Sequence, residues 1–100
     1  MAYDKWFMEG LRLTVLRILA EIPSGTTNES MLDRIAHEVY GYDKDRRRMR
    51  QALRWLEGQA LVSLDQQNEN CIVATITATG QRVAEGGQVV PGVQPPERRD

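Results

Sequence analysis

Two hydrophobic periods meet in this chain, and their order restricts the folds open to it. Up to Leu56 apolar residues recur at spacings of three and four, the mark of helices buried along one face. From Leu61 they alternate instead, which is the mark of strands with one face buried. At 100 residues there is room for one core, because two would need more chain than this to cover their apolar faces. The expected class is therefore α+β, mostly α.

The elements can be placed from their ends as well as their stripes. Phe7, Leu11, Val15, Ile18, Leu19 and Ile22 mark a first amphipathic helix from Trp6 to Ile22, which Pro23-Ser24-Gly25 stops. Thr26 is the expected N-cap of a second helix, with Glu29 reaching back to it in a capping box. Its buried stripe is Met31, Leu32, Ile35, Ala36 and Val39, and Gly41 closes it. A few residues on, Asp43 is the expected cap of a third helix, with Met49, Ala52, Leu53 and Leu56 as its apolar stripe and an end near Gly58. Two strands follow, at Leu61 to Leu64 and Cys71 to Ile76, joined by the polar loop Asp65 to Asn70, with Val62, Leu64, Ile72, Ala74 and Ile76 turned toward the helices. Thr77 is expected to cap a last short helix carrying Val83 and Ala84, which Gly86-Gly87 stops. Residues 1–86 make the expected domain. Residues 87–100 hold three of the four prolines and no periodic apolar face, so they read as an extended or flexible C-terminal tail.

Several function classes are excluded early. No apolar run approaches the ~20 residues that span a bilayer, and the N-terminus has no basic stretch followed by an apolar one, so a cytoplasmic location without membrane contact is expected. One cysteine, Cys71, and one histidine, His37, supply neither a metal cage nor a nucleophile with its base; no metal, no cofactor and no enzymatic activity are expected.

The charge is more informative in its distribution than in its total of −1. Between Asp43 and Gln59 six basic residues, Lys44, Arg46, Arg47, Arg48, Arg50 and Arg54, stand against three acidic ones, while the rest of the chain carries seven basic and eleven acidic residues. At 100° per residue Arg47, Arg50, Gln51 and Arg54 fall on the side of the third helix away from its apolar stripe. Clustered like charges on a helix oppose its formation unless something anionic meets them.

Three helices, the second and third separated by a few residues, then a two-stranded hairpin and a short C-terminal helix: this is the element order of a winged helix-turn-helix domain. Four segments extend the likeness, Leu13-Thr14-Val15-Leu16-Arg17-Ile18-Leu19, Thr27-Asn28-Glu29-Ser30, Leu53-Arg54-Trp55-Leu56-Glu57-Gly58-Gln59-Ala60-Leu61-Val62 and Ala74-Thr75-Ile76-Thr77-Ala78-Thr79-Gly80, with Val90-Pro91-Gly92-Val93 in the tail. Taken in order they resemble the small winged-helix proteins of Mu-like phages and prophages, loosely grouped with arsenic-repressor-type transcriptional regulators, over residues 11 to 93. The resemblance implies a DNA-binding regulator. Two positions depart from it: Ala60 stands where glycine usually precedes the Leu-Val pair, and Cys71 alone cannot form the multi-cysteine site of a metalloid sensor.

The expected function is double-stranded DNA binding in transcriptional regulation. Lys44, Arg46, Arg47, Arg50, Gln51 and Arg54 are the expected contacts on the third helix, and Gln66, Gln67, Asn68 and Asn70 the neutral donors of the wing. Trp6, Phe7 and the first helix are the expected surface of a homodimer. The competing reading is a protein–protein interaction module, which Asp65 and Glu69 in the hairpin loop favour.

Overall fold

The computed structural model describes residues 2–97, in the order α1 (Ala2–Glu21), β1 (Thr26–Asn28), α2 (Glu29–Tyr40), α3 (Arg46–Gly58), β2 (Val62–Asn68), β3 (Cys71–Ile76) and α4 (Ala78–Ala84). Among the described residues these are four helices and one antiparallel sheet of three strands, ordered β1-β3-β2. The fold is α+β and mostly helical, as the two periods require.

The first helix starts four residues before Trp6, with Asp4 in its first turn, where a negative charge complements the helix dipole. Its burial is wider than one stripe: Leu13 and Leu16 are as hidden as Leu11, Val15, Ile18 and Leu19, because α2, α3, α4 and β3 all pack around it. The second helix packs against α1, α3, β1 and β3 along one side only. Leu32 and Ala36 are buried, but Met31 and Val39, expected in its stripe, lie at 41% and 70% exposure on an outer flank that no element covers.

The start of α2 corrects the capping assignment. Thr26 belongs to β1, paired with Thr75, and its hydroxyl donates to the Ala74 carbonyl at 3.0 Å while accepting from the Thr75 hydroxyl at 2.9 Å. Asn28 caps the helix instead, its Oδ1 accepting the Met31 N–H at 2.8 Å. Both residues are competent caps, but a β-branched threonine suits a strand and its hydroxyl is spent across the sheet. Glu29 is thereby the first helical residue, and its carboxylate is free to point elsewhere.

Between α2 and α3 the chain turns in five residues, 41–45. Gly41 takes the left-handed conformation, φ +80°, that glycine adopts without penalty, and its N–H and that of Tyr42 close on the carbonyls of His37 and Ala36. Asp45 rather than Asp43 caps α3: its Oδ1 accepts the Arg48 N–H at 3.1 Å, while its own N–H donates to Asp33 of α2 at 3.2 Å. That second bond selects Asp45, since it ties the cap to the preceding helix. The stripe Met49, Ala52, Leu53 and Leu56 is buried at 1% exposure or less, in the expected phase.

The hairpin is longer and its turn tighter than the polar loop suggested. Strand β2 continues to Asn68 with an irregularity between Gln66 and Asn68, leaving Glu69-Asn70 as the turn, and Asn68 Oδ1 accepts the Asn70 N–H at 2.8 Å. The strand leaves the body of the protein there, so both of its faces are wet and the alternation that marks strands disappears. Closer in, Val62, Ile72 and Ala74 are buried and Leu64 and Ile76 half-buried against the helices. Thr77 caps α4 through the Gly80 N–H at 3.0 Å. Gly80 lies so close to the Leu61 carbonyl that any side chain would collide with it.

The reading of residues 87–100 as an extended or flexible tail, of which residues 98–100 lie outside the described residues, needs correction at residues 90–94. No helix or strand occurs there, but Val93 is 5% exposed in the core, the Gln94 N–H donates to the Glu9 carbonyl at 3.2 Å, and Arg12 donates to the Gly92 carbonyl at 2.8 Å. This strap crosses α1 and α3 and completes the core on that side.

Candidate functional site

Because the buried stripe fixes the rotation of α3, its remaining residues have no choice of direction. Arg47, Arg50, Gln51, Arg54 and Trp55 line one open groove of about 640 Å³ along the helix. Lys44 and Arg46 are exposed at its N-terminal end. The structure therefore brings four of the six expected contacts, Arg47, Arg50, Gln51 and Arg54, to one groove, while Lys44 precedes α3 and Arg46 is its first residue. It does not leave them equivalent.

Arg50 is bound to its own protein. Its Nε donates to Glu29 Oε2 at 2.6 Å and its Nη2 to Glu29 Oε1 at 2.8 Å, a bidentate pair, while Nη2 also donates to the Glu69 carbonyl in the hairpin turn at 2.7 Å. Glu29 has no solvent exposure. The hydrogen bonds from Arg50 hold its carboxyl below the usual range against the opposing effect of burial, with further help from the charges of Arg50 and Arg46 and from the Ile72 backbone N–H. The same pairing raises the Arg50 guanidinium above its ordinary value. Arg46 approaches Glu29 Oε1 at 3.7 Å with its side chain 43% exposed, so it retains open donors.

Arg54 donates through Nη2 to Gln66 Oε1 at 3.0 Å, joining α3 to β2. Among the described residues neither Arg47 nor Arg54 has an acidic partner within ion-pair distance. Arg48 faces another way: it pairs with Asp45 at 3.7 Å and lies over the Phe7 ring at 4.6 Å.

On the hairpin Gln66, Gln67, Asn68 and Asn70 are all exposed, though two of these amides are already engaged, Gln66 with Arg54 and Gln67 with Asp65. The Asn68 side-chain Oδ1 is used in the turn, accepting the Asn70 N–H. Asp65 and Glu69 add negative charge to this end of the site.

Trp55 forms one end of the groove and is fixed from behind. The Arg12 guanidinium stacks on the indole at 4.1 Å from the ring centroid, and Gly92 of the strap lies against its six-membered ring. Desolvation in this packing lowers the Arg12 guanidinium from its ordinary value. Nothing in the local sequence pointed to Arg12 or Gly92. Glu29 was visible as an acidic residue at the start of a helix, but its partner is 21 residues away.

The aromatic pair expected at a dimer seam is divided. Trp6 is 67% exposed, whereas Phe7 is half-buried, edge-on to Tyr42 with centroids 5.3 Å apart and beneath Arg48. His37 is exposed, with Nδ1 2.7 Å from the Tyr42 carbonyl oxygen. Among the described residues no three His, Cys, Asp or Glu side chains converge as metal ligands, and no helix is long and apolar enough to cross a membrane.

No family model matches the chain, and no solved structure matches it. Two proteins of uncharacterized function are similar to it. An uncharacterized protein of Haemophilus influenzae is 34% identical over 77 residues, covering 77% of this chain and 74% of that one. The uncharacterized protein gp26 of Escherichia phage Mu is 36% identical over 91 residues, covering 91% of this chain and 92% of its own. On that coverage the chain belongs to the family of phage-associated small proteins that includes gp26 of phage Mu.

Proposed function

We propose that this protein is a winged-helix regulator of transcription that binds double-stranded DNA, laying α3 in the major groove with the β2–β3 hairpin as its wing. The observation that carries the reading is the exposed face of α3, where Arg47 and Arg54 flank Gln51 with no acidic partner among the described residues. Glutamine is suited to a bidentate contact with adenine, and arginines on either side of it to the phosphates that border the groove. Element order supports it too, because β1 adds to the β3 edge of the hairpin beside α2 while β2 packs against α3. Thirteen helical residues make a rod of roughly 20 Å, long enough to follow the groove across several base pairs.

The test is a mobility-shift titration on duplexes taken from the DNA flanking the protein's own gene, at 50 and 200 mM salt. Phosphate contacts by Lys44, Arg46, Arg47 and Arg54 correspond to a log–log slope of roughly −3.6, or about a 150-fold loss of affinity over that range. Arg47→Ala with Arg54→Ala should abolish binding while leaving the melting temperature near wild type. Binding that is absent at 50 mM salt overturns the reading.

A second reading, a protein-docking module, is favoured by Asp65 and Glu69 at the hairpin end of the site. Its mark is an association that survives high salt.

A further inference from the structure

Arg50 occupies the middle of the basic face, yet three of its five donors are spent inside the protein and only the two on Nη1 stay open. Of the five N–H groups of a guanidinium, the one on Nε and both on Nη2 are taken by Glu29 and by the Glu69 carbonyl. Glu29 is wholly buried, and without Arg50 its carboxylate would keep only the Ile72 backbone N–H and the longer 3.7 Å approach of Arg46. Turning Arg50 outward to a phosphate would therefore strand a buried charge, which is more costly than one surface ion pair is favourable. The three groups joined by Arg50 belong to three different elements: the first residue of α2, the middle of α3, and the turn between β2 and β3. Arg54 to Gln66 adds a second tie between α3 and the hairpin, farther from the turn.

We infer that Arg50 is a positioning residue: it locks the hairpin to α2 and α3, so that Arg47, Gln51 and Arg54 stand in a fixed relation to the wing, and takes no phosphate itself. The lock is a property of the free protein, while its consequence for DNA rests on the function proposed above. A fork-shaped guanidinium is required for it, because a lysine ammonium supplies the charge but not two parallel bonds to one carboxylate plus a third to a carbonyl.

The experiment has one arm without DNA and one with it. In the free protein, Arg50→Lys and Glu29→Gln should each speed hydrogen exchange of the hairpin amides, residues 66–72, by tenfold or more while those of α1 hold their rates. On a duplex that the wild type binds, both variants should weaken binding tenfold or more with an unchanged salt slope, whereas Arg47→Ala should make the slope shallower by about 0.9. Glu29→Gln is the sharper case: were Arg50 a phosphate contact, loosening it from Glu29 would tighten binding. Glu29→Leu with Arg50→Met removes both charges together and so guards against failure to fold; its slope should also match wild type. Wild-type hairpin exchange in Arg50→Lys, tighter binding by Glu29→Gln, or a slope shallower by one in the double variant would each overturn the inference. If the wild type binds no duplex, the DNA reading falls alone, and the exchange rates still decide the lock.

Discussion

Gly92 lies against the indole of Trp55 more closely than any other residue could: a Cβ at position 92 would approach Cη2 to 2.7 Å and Cζ2 closer still. The glycine also has φ +101°, a conformation that L side chains rarely adopt. With Arg12 stacked on the same indole and bonded to the Gly92 carbonyl, the strap, the first helix and the basic helix meet at one point. The wall of the groove is thus set by a residue nearly forty positions farther along the chain.

Gly92→Ala should consequently lift the strap and destabilise the protein by about 1–3 kcal/mol through overpacking and backbone strain. In a Trp6→Phe background, Trp55 fluorescence should shift to the red. A chain ending at Gln88 should show the same shift, whereas one ending at Gln94 should keep the wild-type spectrum and melting temperature, because Val93 and its contacts remain.

The phase of α3 can be tested by neighbouring residues. Leu53 has no exposure and sits in the centre of the core, so Leu53→Ala should destabilise by about 2–5 kcal/mol. Arg54→Ala, about 100° around the helix, should leave the denaturation midpoint close to wild type. A reversed order of the two midpoints would mean that the helix is rotated and the groove residues misassigned.

Ala60 stands at φ +59° and is, among the described residues, the one non-glycine with positive φ. Its methyl group is exposed and contributes little packing, while the left-handed conformation costs it energy that glycine would not incur. Ala60→Gly should stabilise by about 1 kcal/mol, seen as a higher urea midpoint with an unchanged m-value. No gain would indicate that the strain is relieved in some other way.

Glu29 gives the stability a definite response to acid. Its folded-state carboxyl titrates below the ordinary 4.5, so its contribution is complete above that value and is lost as pH falls through the depressed one. Thermal melts from neutral pH downward should show Glu29→Gln less stable than wild type near neutrality. The two curves should converge in acid, once Glu29 is protonated in the folded protein. Parallel curves throughout would show that the buried carboxylate is not the group responsible.

Much of this molecule follows from periodicity. The burial of Met49, Ala52, Leu53 and Leu56, and with it the outward set Arg47, Gln51 and Arg54, is determined by the 3.6-residue repeat, because one apolar stripe leaves one polar face. The inner side of the hairpin, the closure of α2 at Gly41 and the Thr77 cap are local in the same sense: each depends on side chains within a few residues of one another.

What periodicity could not decide were choices between locally equivalent partners. Thr26 and Asn28 are both good caps, and so are Asp43 and Asp45; the Ala74 carbonyl settles the first choice and Asp33 the second. Arg50 and Arg47 look alike in sequence, but only Arg50 comes within reach of a buried carboxylate on another helix. Residues 90–94 are too short and too rich in proline and glycine to show a period, and dock through Val93 in the core, the Glu9 carbonyl, and the surface that Arg12 and Trp55 form for Gly92. The sequence by itself determined which face of each element is apolar, since that depends on side-chain chemistry and repeat alone. Which polar group each charged or capping residue engages was decided by the tertiary structure, because desolvation and long-range contact make one of several equal partners the better.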